Sequence, residues 1–303
     1  MYRRKFLLAL LLATVGVPHL HATPASPPHR VTILYDAFGG RAGLTRDWGF
    51  AALVEYGGKR ILFDAGNNDA IFARNVRALG IDLTRLDFVV ISHRHGDHTS
   101  GLSHVLRQNP KVKVYAPREA FGGFGSVIPA SFYRRDPTLP DSMRYFAGSP
   151  VDKVTSGAVW PEANIHWIDT LTQVAPGLTI ISTVSRTPGT LELRELSLVV
   201  HGPEGSVLLV GCSHPGIETI LQASRPLSER VQLIFGGLHL PAASDTTISR
   251  IVTSLKDHWG IARIAPGHCT GEPAFAALQR VFGSSYVYAG LGTVTGLPLS
   301  APQ

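Results

Sequence analysis

The sequence predicts a layered α/β fold in which helices cover the outer faces of β-sheets. Three observations point to it. From Val31 onward short apolar segments alternate with amphipathic stretches. Several of those segments are continuously apolar, as strands buried on both faces require. With 303 residues and 44% hydrophobic side chains, the chain can bury one large core or two small ones.

The elements follow in order. VTILYD, FAALVEY and RILFDAG read as strands, the last two joined by the turn Gly57-Gly58-Lys59. Residues 68–79 read as a helix with Ala70, Ile71, Val76 and Leu79 along one broad face, ended by Gly80. LDFVVI, residues 86–91, reads as a buried strand, residues 99–106 as a helix, and KVKVYA as a further strand. Residues 117–163 lose periodicity and gain Gly, Pro, aromatic residues and arginines, so they read as a flap over the functional site. Strands are then expected at 178–182, 196–201, 207–210, 231–235 and 262–265, with a last one near Tyr286. Helices are expected over 215–223, 244–259 and 272–281.

The N-terminus reads differently. Residues 1–25 carry a basic head (Arg3, Arg4, Lys5), an apolar run from Phe6 to Val17 and small residues near Ala22 and Ala25. That run is shorter than the ~20 residues a membrane span takes, so a cleavable export signal is expected. Arg3-Arg4 also resembles a twin-arginine signal, and the expected destination is the periplasm or the medium. Its removal takes three positive charges from the formal +6 and leaves no basic stripe. A nucleic-acid partner is therefore not expected, nor membrane attachment after cleavage; a small-molecule substrate is. Oligomeric state is not legible.

The densest chemistry lies in ISHRHGDHTSG, residues 91–101. If the chain stays extended from Ser92 to His95, the imidazoles of His93 and His95 point to one side. Gly96 is expected to turn the chain through a conformation closed to other residues. Asp97 and His98 would then emerge in a new direction and serve a second ion. Neutral imidazole, carboxylate and thiolate are the ligands of zinc and similar ions. Three imidazoles held together without metal or counter-charge would repel on protonation, so a metal centre is the reading. Other ligands also sit just after expected strands: Cys212 and His214 in VLLVGCSHPG, His239 in LIFGGLHLP, and His268 in ARIAPGHCTG. Strand-end ligands converge on one edge of layered sheets. Asp64, closing RILFDAG, is placed to hydrogen-bond a ligand histidine or a backbone N–H. Cys212 and Cys269 permit one disulfide in an oxidising compartment, but their places beside His214 and His268 raise the metal reading. His104, His166, His201 and His258 lie in ordinary helix or strand contexts and are not assigned a function.

SHRHGDH resembles the HxHxDH signature of the metallo-β-lactamase superfamily, and Asp64 in LFDAG and His268 in PGHCTG fall at that superfamily's other motifs. GCSHPGI, GGLHL and PGHCTG together resemble the branch named for dihydropterin-ribofuranosylaminobenzene phosphate synthase and related metal-dependent hydrolases. An exported protein is not expected to make a cytoplasmic cofactor, so the branch name serves as a label. The resemblance, which spans 31–291, implies an αββα sandwich over residues 30–303 with two divalent ions at one edge, zinc first and manganese or iron as alternatives. It places His93 and His95 on the first ion and Asp97, His98 and His268 on the second. The superfamily's HTPG histidine is replaced here by Arg186 in SRTPGT, so His214 is the candidate for the missing ligand. Cys212 falls where the superfamily has a bridging aspartate or cysteine, to coordinate or to line the pocket, and His239 is open in the same way.

A water between two ions is deprotonated near neutral pH and attacks a carbonyl or phosphoryl centre, with Asp97 to ligate, to orient it and to carry a proton. The expectation is hydrolysis of a small ester, lactone or phosphate ester. Arg186, or Arg134 and Arg135 in the flap, would pair with an anionic substrate. The rival is a metal-containing binding or sensing protein whose flap aromatics Phe121, Phe124, Phe132, Tyr133 and Tyr145 hold a ligand.

Overall fold

In the computed structural model, which describes residues 29–118, 127–129, 134–149, 153–155, 160, 162–187 and 192–299, two large sheets pack face to face with helices on both outer sides. The expected export signal at 1–25 lies outside the described residues, as does much of the expected flap at 117–163. The first half builds β1 (Arg30–Tyr35), β2 (Ala51–Tyr56), β3 (Lys59–Phe63), α1 (Asp69–Ala78), β4 (Phe88–Val90), α2 (Gly96–Thr99), α3 (Leu102–Gln108) and β5 (Lys113–Pro117). A small hairpin of β6 (Val127–Pro129) and β7 (Lys153–Thr155) precedes β8 (Asn164–Ile168). There follow β9 (Thr172–Ala175), β10 (Leu178–Val184), β11 (Arg194–Gly202), β12 (Gly205–Val210), α4 (Ile217–Ser224) and β13 (Val231–Gly236). The chain closes with α5 (Asp245–Thr253), β14 (Arg263–Pro266), α6 (Glu272–Phe282) and β15 (Val294–Gly296).

Strand alternation sorts the side chains into layers. In β2, Ala52 and Val54 face the second sheet, while Ala51 and Leu53 face the α1–α3 layer. In β12, Val207 and Leu209 face the first sheet, while Leu208 and Val210 pack against Ile217, Ile248 and Leu278 of the helices. A strand covered on both faces favours apolar side chains at successive positions, which is why these segments read as near-continuous apolar runs. The four layers are α, β, β, α, as the resemblance implies.

Topology then decides where ligands can gather. The first sheet runs β15-β1-β2-β3-β4-β5-β8 and the second β14-β13-β12-β11-β10-β9. β3, β4, β5 and β8 are mutually parallel, and so are β12, β13 and β14. Two antiparallel pairings separate β1 from β3, so β1 shares their direction. The carboxyl ends of β1, β3 and β4 therefore lie at one edge of their sheet, and those of β12, β13 and β14 at one edge of theirs. The two edges touch where Leu196 N donates to the Ser92 carbonyl at 2.7 Å. Gly211 is required there, because a Cβ would stand 2.1 Å from Ser92 Oγ.

Several expectations need correction. The helix expected over 99–106 is two pieces, α2 and α3, interrupted at Ser100 and Gly101. Gly101 packs under the Ala65 carbonyl, where a Cβ would come within 2.0 Å. The strand expected near Tyr286 is a single bridge to Ile264, and the last strand is β15, added beside β1. β8 and β9 were not anticipated; both are edge strands, β8 largely exposed and β9 half-buried, whose polar residues mask any apolar run. The helix expected over 244–259 stays α-helical to Thr253 and then widens into a π-helical turn, Ser254–His258.

Candidate metal centre

Each expected ligand stands two to eight residues beyond a strand. β4 delivers Ser92, His93 and His95, and the His95 backbone stays extended (φ −66°, ψ 138°). His93 and His95 accordingly share a side, with His93 Nε2 and His95 Nδ1 3.1 Å apart. The expected turn at Gly96 is made differently: Gly96 opens α2 and takes no left-handed conformation. That short helix carries Asp97 and His98 toward the second sheet. Four non-glycine residues after other strands do adopt left-handed backbone: Asp64 (φ 59°), Ser213 (φ 63°), His239 (φ 53°) and His268 (φ 45°). Such residues cost about 1–3 kcal/mol each and persist where surrounding structure over-determines them.

The side chains form overlapping triads of donors, two of which share no residue and are joined by a third, His93, His98 and Cys212. His93, His95 and His214 make the first, and Asp97, His98 and His268 the second; within each, every ligand atom lies within 4.8 Å of the others. His98 Nε2 is 3.2 Å from His268 Nε2, and Asp97 Oδ2 is 3.3 Å from His268 Nε2. Tetrahedral coordination at ~2.0–2.1 Å sets two nitrogens about 3.3 Å apart, so these separations fit a shared cation. Cys212 Sγ lies 3.2 Å from His98 Nε2, at the seam between the clusters. His239 stacks on His214 with ring centroids 4.2 Å apart and belongs to a neighbouring group of donors with both cysteines. Both cysteines are free thiols in this structure, not a disulfide.

Buried carboxylates hold the ligands in place. Asp64 Oδ2 meets His98 Nδ1 at 2.7 Å, while its Oδ1 accepts from Ser92 N. Asp64 thus fixes the His98 ring with Nε2 aimed into the cluster, as its position after β3 predicts. Glu195 does the same for His214, whose Nδ1 lies 3.0 Å from Oε2, and also accepts from the backbone N–H groups of Cys212, Ser213 and His214. Asp36 accepts from His268 N at 2.9 Å, and Trp48 Nε1 donates to Asp97 Oδ2 at 3.0 Å. Asp97 Oδ1 and His268 Nδ1 are buried without a hydrogen-bond partner.

The electrostatics suit cations. Asp36, Asp64, Asp97 and Glu195 are all buried, and no lysine or arginine among the described residues is. Burial, then the neighbouring histidines, lowers the pKa of His95 to about 3 and that of His93 well below its ordinary value. Burial likewise lowers His214 in spite of Glu195. The first cluster thus presents neutral rings, the form that ligates. In the second, burial alone would neutralise His98, but Asp64 and Asp97 outweigh it and raise its pKa to about 9. Burial raises the Asp97 carboxyl, yet His98 and His268 overcome it and hold the group ionised far below the usual range. A ligand set that attracts protons this strongly attracts metal ions for the same reason.

The arginines are not gathered with these ligands. Arg186 is exposed beside Ser185, whose Oγ donates to the His214 carbonyl at 3.1 Å. Arg134 is drawn away: it pairs with Asp245 at 2.9 Å and bonds the Ala243 carbonyl. Arg135 bonds the Gly148 carbonyl. Of the aromatics expected to hold a ligand, Phe121, Phe124, Phe132 and Tyr133 lie outside the described residues. Tyr145 is buried against Trp48 and Phe275, and its oxygen accepts from Gly271 N, so it is packing. His104, His166, His201 and His258 are in neither cluster.

Sequence reading missed Glu195, Asp36 and Trp48. Asp36 carried the signal used for Asp64, an aspartate closing an apolar strand. Glu195 was visible only as an acid inside the apolar run of β11, where the neighbouring Leu196 through Val200 are all buried.

The sequence profile of the Metallo-beta-lactamase superfamily matches residues 45–268. An uncharacterized protein of Methanocaldococcus jannaschii, MJ0448, is 29% identical over 82% of this chain and 93% of its own length. From the same organism, 7,8-dihydropterin-6-methyl-4-(beta-D-ribofuranosyl)-aminobenzene-5'-phosphate synthase is 26% identical over 71% of this chain and 77% of its own. Among solved structures, Tm1679, described as a metal-dependent hydrolase of the beta-lactamase superfamily, superposes with a TM-score of 0.67 at 27% identity. That match covers 88% of this chain and 98% of the other.

Proposed function

Because the chain belongs to the metallo-beta-lactamase superfamily, we propose that it is a hydrolase that uses two divalent cations, zinc first, to open a small ester, lactone or phosphate ester. The observation that carries this reading is the pair of three-ligand clusters meeting at one sheet edge. The likeness to Tm1679 supports hydrolysis as the reaction class.

In this reading His93, His95 and His214 hold one ion and Asp97, His98 and His268 the other, with Cys212 at their seam. When bound, the ions supply Lewis acidity and a water ionised near neutral pH. The protein supplies position and proton handling. Glu195 and Asp64 lock the rings of His214 and His98 so that one nitrogen of each faces the centre. Trp48 pins Asp97 through Oδ2, leaving Oδ1 to take a proton from the attacking water and return it to the leaving group. Arg186 is the guanidinium assigned to an anionic substrate. Export to the periplasm or medium is part of the proposal, supported by the N-terminal sequence, as is a small-molecule substrate with no nucleic-acid or membrane partner.

The rival, a binding or sensing protein with little turnover, has lost the support of Tyr145. One experiment separates them. Metal-replete protein is assayed against a panel of esters, lactones, phosphomonoesters and phosphodiesters, with ligand-induced thermal shift in parallel. Hydrolysis that disappears on metal stripping and returns with zinc is the expected result. Tight binding without hydrolysis of any panel member would favour the rival.

A further inference from the structure

We propose that Cys212, His239 and Cys269 form a third cation site, for a thiophilic metal, beside the two-ion centre. The ligand atoms of these three residues all lie within 4.8 Å of one another, and none of the six histidine and aspartate ligands assigned above is needed to complete the set. The proposal therefore does not depend on the hydrolytic reading.

Three features of the backbone build this cluster. The donors come from three different loops, after β12, β13 and β14, and no two are neighbours in sequence. Gly237 leaves the space in which they meet: a Cβ there would lie 2.6 Å from Cys269 Sγ and 3.4 Å from the Cys212 Cα. His239 takes a left-handed backbone, φ 53°, while Leu240 N bonds the Cys269 carbonyl at 3.1 Å and ties the second loop to the third. Without a ligand, strain of this kind has no evident return.

Geometry and charge agree. Tetrahedral coordination with Zn–S near 2.3 Å and Zn–N near 2.0 Å sets donors about 3.5–3.8 Å apart, so closing on an ion asks for a contraction of about 1.3 Å at most. Two buried thiolates add two negative charges, which a third divalent ion neutralises; each thiol releases one proton on binding. Two sulfurs and one imidazole favour zinc, cadmium or copper(I) over magnesium or calcium. Cys212 is shared, since its Sγ also touches His98 Nε2 at 3.2 Å. An ion here would staple together the three loops that carry the second sheet's ligands.

The test uses the full chain, reduced, stripped with chelator and reloaded with cadmium-113. Three metal equivalents and three cadmium resonances are expected, one shifted to high frequency by two sulfur ligands. Cys269→Ser and His239→Ala should each lose one equivalent and that resonance while the other two remain. Failure of the two-ion reading would show separately, as an absence of resonances sensitive to His95→Ala. Two equivalents with a spectrum indifferent to Cys269→Ser would overturn the proposal, as would a Cys212–Cys269 disulfide in the loaded protein.

Discussion

The two clusters at the sheet edge stand side by side yet are built on opposite electrostatic plans. His93, His95 and His214 are three neutral rings, stripped of protons by burial and by one another. Asp97, His98 and His268 include an ionised carboxylate, and the buried Asp64 holds His98 from behind. The first cluster is poised to accept an ion without displacing anything. The second must surrender a proton, yet offers the ion more negative charge. One short loop, HRHGDH, feeds two unlike clusters, because a strand end sends His93 and His95 one way and a helix start sends Asp97 and His98 another.

The most severe way to break the comparison is to remove one ligand from each side. Asp97→Ala should abolish occupancy of the second cluster and lower kcat/KM by about 10²–10⁴-fold, since in the proposed mechanism it removes a ligand and the proton carrier together. His95→Ala should empty the first cluster and leave the second loaded, as metal analysis would show. Simultaneous loss of both ions from either variant would mean that the clusters are one unit.

The supporting carboxylates sharpen the contrast. Asp64→Asn should weaken the ion bound by His98 by about 10–100-fold in chelator competition, and Glu195→Gln should do the same for the ion bound by His214. Each should spare the other ion.

Protons give a smaller but more specific signature. With its pKa raised to about 9, His98 is protonated in the metal-free protein at pH 7, and its Nε2 proton must leave before the ring ligates. Affinity of the second cluster should therefore fall about tenfold per pH unit from pH 8 to pH 6. His95, with its pKa lowered to about 3, and the depressed His93 and His214 are already neutral. First-cluster affinity should stay flat over that range in calorimetric titrations.

The smallest effect concerns Arg186. Because the side chain is exposed, Arg186→Ala should raise KM for anionic substrates roughly fivefold and leave neutral substrates unchanged.

How legible all this was depends on how local the signal is. HRHGDH is contiguous, and spacing alone predicted two directions of ligation, although Gly96 makes the turn by starting a helix. The α–β–β–α layering was legible because doubly covered strands are mostly apolar. Glu195 was not, because its partner His214 is nineteen residues away and only the folded β11–β12 pair brings them together. The edge strands β8 and β9 were lost for the opposite reason: an exposed edge imposes no apolar pattern. Cys269 shows a third limit. Its adjacency to His268 suggested metal, but its actual neighbours, Cys212 and His239, come from two other loops.

Anomalous diffraction from crystals of zinc-loaded protein tests the central claim most directly. Peaks inside the His93/His95/His214 and Asp97/His98/His268 clusters, about 3.5–4 Å apart, are the predicted result. Zinc bound elsewhere on the molecule, with neither cluster occupied, would contradict it.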